Sequence, residues 1–565
     1  MPVVIGVTGH RHLPAGDLPE LERTIDGAFD WIREQAPTAP IVVLSALAEG
    51  ADRLVADRLL LRGARLRVVL PFPRSEYERD FRDGDSLSEF RTLLNRADAV
   101  IELKGARGDD SGGGYQAVGH FISDHATVLF GLWDGEDAQG VGGAAEIIRW
   151  HCQGGRSRRR ERLVDAAHGY VIHIPVRRPT AHTSARPATG EWRVLPDERC
   201  AGEDEDPGAD QKFELATLLR RLQAFYTDLQ ATGTRQATRA KGGAPATERA
   251  GIIDAAFTAV DALSVRYQRY TERLRRSLFV LVFMGVAFFA VCAHHMVPHG
   301  WVPYLLGLYL LVLGFAYGLH LRYGTAPPIR VPGRRQRIGS EDRYLDYRVI
   351  AEYLRVVRFW RIGGVPDRVE DHLPLYGQGF LDWVVFPLKA LALMATERGE
   401  GFEKDGASEA AWRTVRQGWI DDQRAYFERA QQRYLHAWHR VHRWVQVLFV
   451  VSVVGLGLLL ALYVSHQHEL WCGMAHNLLV TFISLTALGS AMLHAYGDKR
   501  GDLDHARQAE RMHLLFRSAD RKAKTSDSAQ ERAALVRHLG REAINEVADW
   551  LLLRRSRPVE VPKAG

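Results

Sequence analysis

The chain has 565 residues, a formal net charge of +6 and four cysteines. That length exceeds one compact core, so two or more folded units are expected. The charge is too mild to point to nucleic acid, arginine outnumbers the nine lysines as a compositional bias, and Cys152, Cys200, Cys292 and Cys472 form no CxxC pair that would organise a zinc site or a disulfide scaffold. The opening "MPVVIGVTGH" has the pattern of a buried strand, without the basic and long apolar regions of a cleaved signal.

From residue 1 to about 178, short β-branched runs alternate with amphipathic segments. The strand candidates are 3–7, 41–45, 66–70, 98–103, 127–132 and 170–176, with helical patterns such as "DLPELERTIDGAFDWIREQ" and "GADRLVADRLLLRG" between them. Such alternation predicts an α/β Rossmann-like parallel sheet covered on both faces. Ligands of these sheets settle beyond the carboxyl ends of the strands.

The unusual residues fall in the loops at those ends: "TGHRHL", "ALAEG", "PFPRSEY" and "WDGEDAQGVGG". Gly142 and Gly143, placed just before a helix, let backbone amides approach an anion that also feels the helix dipole. His10, Arg11 and Arg74 add charge-assisted donors. The candidate ligand-binding set is Gly9, His10, Arg11, Ser45, Glu49, Gly50, Arg74, Asp134, Gly135, Gly142, Gly143 and Glu146. No metal site and no resident cofactor are expected. A glycine-rich turn by itself is also an ordinary tight connection, and the convergence of several loops on one edge is what favours a ligand.

Taken in order, "GVTGHRHL", "LSALAEGADRLVADRLL", "RVVLPFPRSEYERDF" and "VLFGLWDGEDAQGVGGAAEIIRW" resemble the SLOG superfamily of Rossmann-like nucleotide-binding domains. That superfamily includes cytokinin-activating phosphoribohydrolases, DNA-processing proteins and the cytoplasmic head of TRPM channels. The resemblance implies a nucleotide or nucleotide-derived ligand, such as a cyclic oligonucleotide or ADP-ribose. The phosphoribohydrolases carry a PGGxGTxxE segment whose glutamate works with an arginine of the preceding helix to cleave a glycosidic bond. Here "VGGAAE" keeps Gly142, Gly143 and Glu146 but lacks the GT pair, and "GGYQAVGHFISDHA" supplies no arginine. Sensing is therefore expected over cutting, with Glu146 the acid or base if the protein is an enzyme.

Residues 179–251 read as a linker: two stretches rich in Pro, Gly, Thr and charge bracket one short helix, "FELATLLRRLQAFYTDL". The Arg-rich "GGRSRRRER" at 154–162 reads as a solvated surface insertion.

From residue 252 to 565 the pattern is helical, with four apolar spans at about 278–296, 301–321, 444–464 and 476–495. The turns within each pair lack Lys and Arg, whereas "RLRRS", "RVPGRRQR", "HRVHR" and "DKR" flank the outer ends. Positive flanks favour the cytoplasm, so two hairpins dip from that side and both termini are expected there. Cys292 and Cys472 then lie near the outer face and are expected unpaired. A fifth apolar stretch, 380–395, contains Asp382, Lys389 and Pro387 and reads as a cytoplasmic helix.

Long helices are expected to run into the first and third spans, with cytoplasmic helices over 340–443 and 497–555. Glu352 and Arg355 lie three apart, and Asp422 and Arg424 sit near Tyr426, so ion pairs within or between helices are expected to account for them. Trp419, Tyr426, Ile544, Val547 and Leu551 suit a helical core. Asn477, Thr481 and Ser484 share one face of the fourth span, which fits either a water-facing pore lining in an oligomer or packing between helices. Gly314 and Gly318 form a GxxxG expected to mark close helix contact.

The set "YRVIAEYLRVVRFW", "WIDDQRAYFERAQQR" and "EVADWLL" around membrane hairpins resembles the SLATT family, four-transmembrane proteins associated with SLOG domains. The paired resemblance implies a pore-forming homo-oligomer in the bacterial inner membrane, serving an antiphage or conflict system and gated by a nucleotide messenger. A membrane-anchored nucleotide hydrolase or glycosidase, or a regulated transporter, are the alternatives.

Overall fold

The structure is a computed structural model that describes residues 1–81, 83–105, 113–136, 142–152, 169–177, 191–195, 207–239, 251–293, 299–323, 339–373, 382–399, 408–464 and 473–555. In chain order the first part comprises β1 (Val3–Gly9), α1 (Leu18–Gln35), β2 (Ile41–Ser45), α2 (Ala51–Leu61), β3 (Arg65–Leu70), the single turn α3 (Arg74–Tyr77), α4 (Gly84–Asn95), β4 (Ala99–Glu102), α5 (Gly113–His125), β5 (Val128–Trp133), α6 (Ala144–Cys152), β6 (Tyr170–Pro175), β7 (Arg193–Val194) and α7 (Pro207–Arg239). The strands form one sheet in the order β4-β3-β2-β1-β5-β6-β7, parallel throughout except for β7.

Both faces of this sheet are covered, which explains why its strands are continuous apolar runs. Val3, Ile5, Ile41 and Val43 face the core shared with α1 and α2, while Val4, Leu44, Leu129 and Val171 face Val118 and Ile122 of α5 and Ile147 and Ile148 of α6. Between β1 and β5 the strand order reverses, and the crevice beyond their carboxyl ends is the place where such sheets bind ligands.

The expected linker contains more structure than its composition indicated. Residues Arg193–Val194 add the antiparallel strand β7 to β6. The expected short helix is α7, which is 33 residues long and buries Leu215, Leu219 and Phe225. It packs along α1, and Gln223 accepts hydrogen bonds from the Thr38 and Ala39 amides at 3.0 and 2.9 Å. The Arg-rich insertion at 154–162 lies outside the described residues.

The second part comprises α8 (Ile252–Ala293), α9 (Val302–Tyr323), α10 (Ser340–Ile362), α11 (Val385–Glu397), α12 (Glu409–Val415), α13 (Asp422–Val464), α14 (Gly473–Arg500), α15 (Asp502–Ala523) and α16 (Ala529–Arg555). One π-helical turn, Arg416–Asp421, joins α12 to α13, so a single rod runs from Glu409 to Val464. The amphipathic ends of α8 and α13 pack in a helical core, and their continuations are apolar. Trp419 stacks on Phe359 with ring centroids 5.1 Å apart, and Trp360 donates from Nε1 to the Val536 carbonyl at 3.1 Å. Glu352 is held between Arg348 and Arg355 at 2.5 Å each. Arg424 of α13 pairs with Asp520 of α15 at 2.7 Å, an ion pair between helices. Trp419, Ile544, Val547 and Leu551 are buried as expected, whereas Tyr426 is half-buried.

Three helical stretches are long and apolar enough to cross a membrane: Ile252–Cys292, Glu409–Val464 and Gly473–Ala523. The expected second span falls on α9, whose apolar run Pro303–Leu319 is shorter. α9 packs back on α8, and α14 on α13. Large apolar side chains such as Met284, Leu311, Phe315, Phe449 and Val454 stand exposed along these segments, as a lipid-facing surface requires.

Two expectations about these segments change. Among the described residues no atom lies within 4 Å of where a side chain would begin at Gly314 or Gly318, so the GxxxG marks no helix contact among them. Close approach occurs instead at Gly455, where a Cβ would meet Ile483 of α14 at 2.8 Å. Of the polar stripe, Thr481 is buried, while Asn477 and Ser484 are half-buried. Ser452 donates to the Ile483 carbonyl at 3.3 Å and Ser490 to the Val445 carbonyl at 3.0 Å, which is the interhelical packing use of small polar residues. Cys292 is a buried free thiol, and Cys472 lies outside the described residues.

The stretch 380–395 is helical from Val385, but it does not stand apart from the sheet. α11 packs against α5 and β4, placing Ala390 and Leu393 in the same cluster as Leu129 and Val171, and Glu397 pairs with Arg67 of β3 at 2.7 Å. Pro387 sits in its first turn, where a missing N–H costs nothing.

Candidate functional site

The loop after β1 is built to be approached closely. Gly9 ends the strand, and a Cβ there would lie 2.4 Å from Ala51 Cβ and 2.7 Å from the Leu132 carbonyl. The His10 amide donates to that carbonyl at 3.0 Å, and the His10 carbonyl accepts from Ala51 at 3.1 Å. Three elements, β1, β5 and the start of α2, are therefore pinned at the switch point. His10 Nε2 lies 3.2 Å from both the backbone nitrogen and Oδ1 of Asp134, so this pair bridges the two loops across the crevice.

The loop after β2 carries backbone strain. Leu47 adopts φ +55°, an uncommon conformation for a residue with a side chain. Its amide donates to Ser45 Oγ at 3.0 Å, and its carbonyl accepts from Arg53 Nε at 3.1 Å. Arg53 is buried, its Nη1 reaches Ser86 at 3.0 Å and Glu89 at 2.8 Å, and its guanidinium lies over the Phe81 ring. Ser86 donates to Glu49 at 2.5 Å. Gly50 follows at φ +79°, and a Cβ there would lie 2.2 Å from the Arg11 carbonyl oxygen. Such strain persists only where neighbours over-determine it.

Asp52, in the first turn of α2, was not anticipated as a site residue. It is buried, and that burial pushes its carboxyl up to about 7 against the opposing backbone hydrogen bonds at Ala48 and Ala46 and the Arg11 charge. Ser45 Oγ lies 3.4 Å from its Oδ2. Nothing in the pattern "GADR" distinguishes a buried acid from a solvated first-turn acid, because burial depends on the Arg11 and Tyr77 segments folded over it.

The loop after β5 holds the glycine pair. Gly142 has φ +79°, and its amide donates to Glu146 Oε2 at 2.6 Å. Glu146 Oε1 accepts from Gln116 Nε2 of α5 at 2.5 Å. The carboxylate thus caps its own helix and already occupies the amide that the sequence offered to a phosphate. Gln116 is the residue this arrangement adds. Asp134 Oδ1 accepts from the Glu136 amide at 3.1 Å, and Gly135 has φ +90° with no described atom within 4 Å of its would-be Cβ.

Arg74 stands apart from this group. Its Nε donates to Glu78 at 2.8 Å and its amide to Glu102 at 3.3 Å, beyond β3 and β4. Arg91 and Arg74 together hold the Glu78 carboxyl down at about 2, so Arg74 is committed to an acid. The structure therefore brings together Gly9, His10, Arg11, Ser45, Glu49, Gly50 and Asp134 around the start of α2, sets Gly142, Gly143 and Glu146 at the start of α6, and leaves Arg74 outside both. Among the described residues, no group of three or more His, Cys, Asp or Glu is placed to hold a metal ion. Neither the models of known protein families nor the curated protein sequences contain a match to this chain.

Proposed function

We propose that this protein is a nucleotide-sensing membrane effector of the SLOG and SLATT type. In this reading the crevice at the β1/β5 switch point takes a nucleotide-derived messenger, and the helices joined to it open a pore in the bacterial inner membrane. The observation that carries it is the continuity of two rods: α8 begins against α7 and α11, which pack on the sheet unit, and runs on into an apolar segment, as does the rod 409–464. Strained, preformed loops at the switch point support a binding role, since a site held in advance of its ligand spends little energy on ordering.

The reading includes four spans in two hairpins, both termini in the cytoplasm, and assembly of several copies, because one chain has too little polar lining for a pore. It places the protein in an antiphage or conflict system in which opening arrests the infected cell. Messenger binding acts by differential affinity for closed and open assemblies. Moving a 1:99 equilibrium to 99:1 takes about 5.5 kcal/mol of that difference. The hydrolase or glycosidase reading needs Glu146 as a free acid or base, yet both its oxygens accept hydrogen bonds and no arginine reaches it among the described residues. The transporter reading has no observation in its favour.

The test is release of carboxyfluorescein from liposomes carrying the full chain, with ADP-ribose, cyclic di-AMP and a cyclic trinucleotide as probes and calorimetry to record which bind. Release by a bound probe is expected. Dye retention with every probe that binds overturns the proposal.

A further inference from the structure

A second cavity, of about 970 Å³, opens between the sheet unit and the helical unit, with Gln116, the residue that donates to Glu146, on its wall. Its walls come from the α5 side of the sheet and from α8, α10 and α11. Ile253, Leu354, Val357, Leu388 and Leu391 line it with apolar surface. Lys104, Gln116 and His120 contribute polar groups from the sheet unit and Arg361 from the end of α10, and the acids lie on α5 and on the segment that follows α10. There Arg368 lies 3.4 Å from Asp124 and 3.2 Å from His125 Nε2, and Asp367 is engaged by Arg537 at 3.0 Å and Arg541 at 3.2 Å.

Glu370 differs from these neighbours. Its side chain lines the cavity at 9% exposure, and among the described residues it accepts no hydrogen bond and forms no ion pair within 4 Å. Nearby Lys389 has its ammonium disfavoured by burial and by Arg368, while Asp124, Glu370 and Asp371 favour it. A carboxylate on a cavity wall with no described donor within reach offers an anionic anchor to a ligand that enters. Concave, largely apolar sites with a few polar anchors are where small molecules bind.

We propose that this cavity is a second ligand site, and that it takes a small organic cation: a protonated amine directed at Glu370, carried on an apolar body that packs against Leu354, Val357 and Leu391. The site shares Gln116 with the Gly142–Glu146 turn, and its occupant would touch α5 of the sheet unit together with α8 and α10 of the helical unit.

Calorimetry on the detergent-solubilised full chain, with tryptamine, indole-3-ethanol and indole-3-acetate as matched probes, tests it without reference to any nucleotide. Tryptamine is expected to bind at least tenfold tighter than the neutral and anionic probes. Glu370→Gln should erase that preference while leaving indole-3-ethanol unchanged, and Ala392→Phe, which fills the cavity from the half-buried face of α11, should weaken all three. Equal or tighter binding of indole-3-acetate, a preference that survives Glu370→Gln, or no binding by any probe overturns the proposal.

Discussion

Gly50→Ala tests whether the switch point depends on close approach of the backbone. The residue has φ +79° and ψ −118°, a conformation that costs an L-residue about 1–3 kcal/mol. A Cβ would also lie 2.2 Å from the Arg11 carbonyl oxygen and 2.6 Å from the His10 carbonyl oxygen. Both are backbone atoms pinned by β1, so relief requires moving the loop, an overpacking cost of about 1–3 kcal/mol. The sum is about 2–6 kcal/mol. At about 2–4 °C per kcal/mol for a unit of this size, the melting temperature should fall by on the order of 10 °C. Gly63 provides the control: its φ is +81°, but no atom lies within 4 Å of its would-be Cβ. Gly63→Ala should therefore cost only the conformational part, about 1–2 kcal/mol or a few degrees. Thermal melting of both variants by tryptophan fluorescence measures the difference, and nucleotide binding should be lost in Gly50→Ala alone. Equal melting shifts, or Gly50→Ala that binds as the parent does, would refute the argument.

Asp52 supplies a pH signature. Its folded carboxyl near 7 lies above the ordinary value of about 4, so between those pH values the folded chain keeps a proton the unfolded chain has lost, and stability falls as pH rises through that window, by up to about 1.4 kcal/mol per pH unit. Asp52→Asn should flatten this slope and raise the melting temperature at pH 8 but not at pH 4; an unchanged slope argues that the group is not protonated in the folded state. Glu146→Gln should keep an acceptor for the Gly142 amide while removing the charge that repels a phosphate, so ADP-ribose binding measured by calorimetry should tighten several-fold; loss of a turnover activity instead would indicate an enzyme. Thr481→Val separates packing from pore lining. Thr481 Oγ1 is buried without a hydrogen-bond partner among the described residues, so the substitution should leave ligand-induced dye release unchanged and melting within about 1 kcal/mol of the parent, whereas a strong drop in release would restore the water-facing reading.

The sheet was legible because its signals are local. Runs such as "VVIGV" and "IVVLS" are apolar on both faces and are separated by helical patterns, and that spacing alone requires parallel strands with crossover helices. The apolar spans and the rods leading into them were equally legible, since hydropathy is a property of composition over about 20 residues. β7 escaped notice because two residues carry no periodicity, and what the helix α7 packs on was hidden because its partner is α1, about 180 residues away in the chain. The site was legible only in outline. Gly50, Gly142 and His10 stand out as residue types, but Glu146 reads as a ligand or catalytic group until its oxygens are seen on Gly142 and Gln116, and Arg74 reads as a phosphate donor until Glu78 is seen to hold it.

The amino-acid sequence by itself determined the six parallel strands, the long helices and three of the four apolar spans, because each of these follows from side-chain periodicity or hydropathy within one element. Only the tertiary structure decided which polar groups remain available to a ligand. Donors and acceptors are claimed by whatever the fold brings within about 3 Å, and Gln116 with Glu146, Arg91 with Glu78 and the cavity wall at Glu370 arise from pairs and surfaces that no single stretch of chain contains.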